Sequence, residues 1–192
     1  SNDMTVLTIL MRTLFEAIEN KKSNNYEMVL KINEQTINLK FDNGAAYTVI
    51  SASVLDENFC DERAEYFEKI LLEKAQQYEQ DNELKAPFEK TFVSASGNQI
   101  KGYLVDSPNV TIGNYKIEHF YYYFIPQNKR PITLLGNDFL RFCEYTHKIE
   151  RNIYITKIDT VAYKSYYENA IDIDEISALI DEMALNEFDI ER

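Results

Sequence analysis

The spacing of apolar positions changes several times along this chain, and each change marks an element. Val6, Leu7, Leu10, Leu14 and Ile18 recur at intervals of three and four, which predicts an amphipathic helix over residues 4–20. Lys21 to Asn25 is a polar break. Period two then takes over, with Met28, Leu30 and Ile32 alternating with Val29 and Lys31, and Ile37, Leu39 and Phe41 with Asn38 and Lys40. Two strands, 26–32 and 36–41, are expected to pair as a hairpin through Asn33-Glu34-Gln35.

Between Asp56 and Leu84 the helical period returns. Phe67, Ile70, Leu71 and Ala75 form one apolar stripe among Glu and Lys, and Pro87 ends the stretch. Strand signals follow at 91–94, 100–105, 109–112 and 115–125, with reversals expected at Ser96-Gly97-Asn98 and at the two-residue turn Gly113-Asn114. Alternation along Tyr121-Tyr122-Tyr123 would put half of that run in the core and leave half to face a groove. Ile132 to Leu135 is continuously apolar, as in a strand covered on both faces, and stops at Gly136. Asn137-Asp138 ahead of Phe139-Leu140 predicts a helix start, with Asp138 as its cap. Ile153, Tyr154 and Ile155 are expected to end the β region of the chain. The acidic tail from Glu168 carries Ile173, Ile176, Ile180 and Met183 at helical intervals.

Composition narrows the possible functions. The chain has 192 residues, 45% of them hydrophobic, with only five Gly and four Pro, so it can bury a core and is neither disordered nor collagen-like. A formal net charge of −12 argues against nucleic acid and against an anionic membrane surface, since both need a positive surplus. No run of eighteen apolar residues suggests a membrane span. Cys60 and Cys143 are too few for a disulfide framework, which favours a reducing, cytoplasmic compartment. Ser1 and Asn2 read as remnants of a trimmed terminus, which leaves room for an upstream anchor. Neither the histidines nor the cysteines have metal-ligand spacing. His119 is expected to be packed, and His147 solvated. No glycine-rich phosphate loop is present.

One segment offers chemistry. In Leu39-Lys40-Phe41-Asp42-Asn43-Gly44-Ala45-Ala46 an acid closes an apolar strand at a sharp turn. Gly44 is expected to supply an unusual backbone conformation and room for another chain to approach. Asp42-Asn43-Gly44 also has the composition of a plain hairpin turn. Downstream, Leu134-Leu135-Gly136 is a second apolar strand ending in Gly.

Phe41-Asp42-Asn43-Gly44-Ala45, Val93-Ser94-Ala95-Ser96-Gly97 and Leu134-Leu135-Gly136-Asn137-Asp138-Phe139-Leu140, in that order, resemble the landmarks of retropepsin-like aspartic proteases over about residues 26–158. The resemblance implies a mainly β, closed barrel-like fold, with added helices at both ends and one helical insertion. The domain would run from 25 to 160, with the insertion at about 56–84, between an N-terminal extension (4–24) and an acidic C-terminal extension (161–192). It implies Asp42 as the catalytic acid. Asn43, Gly44, Ala45 and the flap residues Ser96, Gly97 and Asn98 would contact a polypeptide substrate, and Leu134, Leu135 and Gly136 would support the loop.

Asp106-Ser107-Pro108 has Pro where a second Asp-x-Gly needs Gly. The implied activity is therefore that of a homodimeric endopeptidase with one Asp42 from each chain, needing no metal or organic cofactor. Two positions depart from the family pattern. Asn43 stands where the family has Thr or Ser, and Asn137 where several members carry Arg. The first keeps an alternative open, that of an inactive dimerisation or peptide-binding module with the same fold.

Overall fold

The computed structural model describes residues 26–55, 61–78, 86–93, 96–126, 131–147, 153–168 and 170–190, without side chains at 61 and 184–190. The helix expected over 4–20, the rest of the 4–24 extension and Cys60 lie outside the described residues.

The first hairpin forms as its alternation dictates. β1 (Tyr26–Ile32) and β2 (Gln35–Phe41) pair antiparallel from Tyr26↔Phe41 to Ile32↔Gln35, and Met28, Leu30, Ile37, Leu39 and Phe41 are buried. The turn is two residues rather than three. Asn33 takes φ 55°, a left-handed conformation that Asn tolerates better than most side chains, so Gln35 joins the ladder.

Six strands then close on themselves. β3 (Val49–Ser51), β5 (Gln99–Ile112), β6 (Tyr115–Ile125) and β7 (Thr133–Leu135) complete a barrel in the order β1-β2-β7-β3-β6-β5, and Leu30–Ile32 of β1 pairs back onto Val110–Ile112 of β5. The β2–β7 and β3–β6 contacts are parallel, the others antiparallel. Outside the barrel, β4 (Glu89–Val93) forms an antiparallel hairpin with the first part of β5, and β10 (Ile171–Asp172) runs parallel to Val105-Asp106.

Several expectations are corrected. The two strands foreseen at 100–105 and 109–112 are one, because the turn-type residues between them are bonded within the sheet. Asp106 accepts the Phe120 N–H (3.1 Å), and the Ser107 and Tyr122 hydroxyls lie 2.7 Å apart. Ile153 to Ile155 do lie in a strand, β9 (Ile153–Ile158), which pairs only with β8 (Cys143–His147) in a ladder separate from the barrel. Tyr121, Tyr122 and Tyr123 are all buried, because both faces of β6 are covered. Tyr121 lies against Tyr163 and Tyr167, Tyr123 against Tyr47 and Phe92, and Phe124 against Phe67. In β7 only Leu135 is fully buried, while Thr133 and Leu134 are half-buried.

The helices cover the barrel wall. After the short α1 (Ala52–Leu55), α2 (Asp61–Tyr78) buries the stripe Phe67, Ile70, Leu71 and Ala75. α3 (Asn137–Leu140) follows β7 directly, and α4 (Thr160–Tyr166) is capped by the Asp159 carboxylate on the Ala162 N–H (3.1 Å). α5 (Ile173–Ile190) buries Ile173, Ile176 and Ile180 and packs beside α2, where Arg63 reaches Asp181 at 2.8 Å. No helix among the described residues is long and apolar enough to cross a membrane.

Candidate active site

Asp42 ends β2 where the strand leaves the barrel wall. Its N–H donates to the Leu135 carbonyl (3.0 Å), extending the parallel β2–β7 ladder by one bond. The half-buried carboxylate turns back on its own loop, and Oδ1 accepts the N–H groups of Gly44 (3.0 Å) and Ala45 (3.2 Å). Such Asx-type bonds fix the direction of a carboxylate without a cation. Oδ2 accepts no hydrogen bond from any described residue.

Gly44 has no left-handed φ, which corrects the expectation of an unusual backbone conformation. Its role is spatial, because a Cβ at this position would lie 3.3 Å from Asp42 Oδ1. Asn43 is exposed and Ala45 half-buried.

The loop rests on the turn after β7. A Cβ on Gly136 would sit 2.4 Å from the Tyr47 carbonyl oxygen and 2.5 Å from its carbon, so backbone touches backbone there and only glycine fits. The Asn137 N–H donates to the Ala45 carbonyl (2.7 Å) and the Gly136 N–H to Thr48 Oγ1 (3.0 Å). Leu134 and Leu135 pair with Lys40 and Phe41 ahead of this loop, and Gly136 makes the close contact with Tyr47.

Asp138 is not the cap of α3. The cap position is Gly136, with no side-chain bond. Instead Asp138 is buried and accepts the Thr48 N–H on Oδ2 (2.9 Å), the Thr48 hydroxyl on Oδ1 (2.6 Å) and the Phe139 N–H (2.9 Å). Burial pushes its carboxyl above the usual range, and the two Thr48 bonds, the Phe139 N–H and Arg141 oppose the rise. Tyr167 adds a hydroxyl bond to the Asp138 carbonyl (3.2 Å). Sequence pattern alone does not reveal this Thr48–Asp138 clamp. Its only trace there is a Thr six positions beyond Asp42 and an acid two beyond Gly136.

Ser96, Gly97 and Asn98 form the exposed tip of the β4–β5 hairpin. Gly97 has φ 82°, and a Cβ there would meet nothing within 4 Å. The hairpin's root is tied to the loop beyond Asp42. Phe92 packs edge-on against Tyr47 (5.9 Å), and the Lys90 ammonium lies 4.2 Å from the Tyr47 ring centre.

The other titratable groups are engaged elsewhere. Asp106, buried in β5, contacts His119 Nδ1 at 2.6 Å, and His119 stacks parallel on Tyr121. His147 is exposed beside Tyr26, Phe41 and Tyr145. Cys143 is half-buried, and burial pushes its thiol up to about 12, far from a reactive thiolate. No group of three or more His, Cys, Asp or Glu able to hold a metal ion occurs among the described residues.

Two cavities bear on function. One of about 650 Å³ lies between the β1–β2 turn, α2 and the start of α5, with Arg63, Phe67, Tyr122 and Asp174 in its lining. The other, about 230 Å³, has Ala46, Tyr47, Asp138, Arg141 and Tyr166 in its lining. No protein-family profile matches the chain, and no curated protein sequence is significantly similar to it.

Proposed function

We propose that this chain is an aspartic endopeptidase of retropepsin type, active as a homodimer. The observation that carries the reading is the anchoring of the Asp42 loop. Its carboxylate is aimed by the Gly44 and Ala45 amides, while the backbone around it is pinned to Leu135, Gly136 and Asn137. A plain hairpin turn does not need a glycine-tight contact from a distant strand. A positioned acid does, because catalytic groups work only when held within a fraction of an ångström.

In the dimer, Asp42 of each protomer meets its mate on a two-fold axis. Two carboxylates about 3 Å apart cannot both ionise, so they share one proton, and the pKa values belong to the pair. The ionised member takes a proton from a water held between them. That water attacks the scissile carbonyl, to which the protonated member donates. Gly44 and Ala45 line the floor for an extended peptide, and Ser96, Gly97 and Asn98 close over it. Recognition is strand-like, with main-chain bonds for affinity and alternate pockets for selectivity.

A second reading rests on Asn43. In place of the family's Thr or Ser hydroxyl it sets a bulkier amide at the point where the two loops would meet, which favours a dimerisation or peptide-binding module without hydrolysis.

Incubation with denatured casein between about pH 4 and 7, the range over which such pairs are tuned, separates the two. Cleavage that disappears in Asp42→Ala while the dimer persists supports the enzyme. Peptide binding without cleavage at any pH supports the module, and a monomer that neither binds nor cleaves removes both.

A further inference from the structure

The 230 Å³ cavity has a chemistry of its own. Tyr47, Tyr123, Tyr166 and Tyr167 wall it, and Arg141 sets a guanidinium 4.1 Å from the Tyr166 ring centre. Arg141 forms no ion pair with a described residue, and neither does Lys90, which lies over the far side of the Tyr47 wall. The one carboxylate in the lining, Asp138, is bound to Thr48. Both cations lie on aromatic faces, and Arg141 acts on the Asp138 carboxyl only through space, in a chain of net charge −12.

The cavity also lies near the path of the proposed substrate, since Ala46 is in its lining. Ala46 is four residues from Asp42, so their Cα atoms are at most about 14 Å apart. An extended peptide advances about 3.3 Å per residue, so the cavity lies within reach of the first four substrate residues beside the scissile bond.

We infer that this cavity is a substrate subsite for an acidic side chain, with Arg141 as its specificity determinant and Lys90 as a supporting charge. The inference rests on the endopeptidase reading. Guanidinium matches a carboxylate with two donors in one plane. The excess negative charge repels acidic peptides elsewhere on the surface, which concentrates the preference at this one place. A homodimer carries two such cavities, so the preference would be mirrored on both sides of the cut.

The test is cleavage of a pool of proteome-derived peptides by the full chain, with the products sequenced. Enrichment of Asp or Glu at a fixed position within four residues of the cut is expected. Arg141→Gln should lower kcat/KM on a Glu-bearing peptide about tenfold, the scale of one lost charge-assisted bond, and leave the Gln-bearing counterpart unchanged. Absence of acidic enrichment, or enrichment that Arg141→Gln does not alter, overturns the subsite and leaves the protease reading standing. If no peptide is cut, the protease reading falls and binding decides the subsite. In NMR titrations with acetyl-Ala-Glu-Ala-amide and its Gln analogue, shifts at the Arg141 side chain with the Glu peptide alone support it. Equal response to the two peptides, or none, overturns it.

Discussion

Two residues hold the candidate site together. At Gly136 a side chain has nowhere to go, since a Cβ would meet the Tyr47 carbonyl at 2.4 Å. Gly136→Ala is expected to cost about 3 kcal/mol, measured by urea denaturation, and to lower any Asp42-dependent activity. Thr48 gives two bonds to a buried acid. Thr48→Val should destabilise the chain by about 1–3 kcal/mol, in a pH-dependent way. Burial raises the Asp138 carboxyl above its unfolded value, so the folded chain binds more protons, and the stability tied to this group falls as pH rises from about 4 through the folded value. Losing the Thr48 hydroxyl, while the backbone N–H keeps its bond, raises the folded value further. The gap between wild type and variant should therefore be smallest below about pH 4, where the lost Gly136 N–H bond to Thr48 still counts, and widest at alkaline pH. A constant gap from pH 4 to 8 would count against an ionising Asp138. Asp42, Gly44 and Gly136 were legible because a residue type marks each one. The Thr48–Asp138 clamp was not, since a hydrogen bond across ninety positions leaves no period in the sequence.

Elements with one buried face read well from the chain. The stripe of α2 and the alternation of β1 and β2 each record a single apolar contact, and both recur in the structure. β6 misled because helices cover its second face, and a strand covered twice loses its alternation. β5 misled because polar residues that usually mark a turn found partners across the ladder. The contact between α2 and α5 yields a further expectation. Ile176 is fully buried, so Ile176→Ala should cost about 2–5 kcal/mol and lower the thermal midpoint. Gly97→Ala acts differently. It forces a left-handed φ on a side chain at an exposed tip, and should cost only about 1 kcal/mol while altering KM more than kcat if the tip closes on substrate.

At the scale of the whole molecule the proposal requires two chains, and stoichiometry tests it. Light scattering should give about twice the 22.5 kDa chain mass, and specific activity should fall on dilution as dimers separate. Asp42→Asn chains mixed in ninefold excess with wild type should cut the activity per wild-type chain to about one tenth, because nearly every wild-type protomer then faces an inert mate. Unchanged activity in the mixture would mean that each chain works alone. The barrel was foreseen only through the resemblance of the ordered landmarks to one family. The pairing of β8 with β9 was not, because a short ladder outside the main sheet carries the same alternation as one within it.

The return of β1 onto β5 bears on how the protein behaves when crowded. Every strand of the cylinder has a neighbour on each flank over at least part of its length, so none of the six offers another molecule a row of amides and carbonyls running from end to end. Among the described residues, β4, β10 and the β8–β9 ladder are paired on one flank only, and templated polymerisation of the kind that produces fibrils starts at such edges. Those short segments set the solubility of concentrated samples.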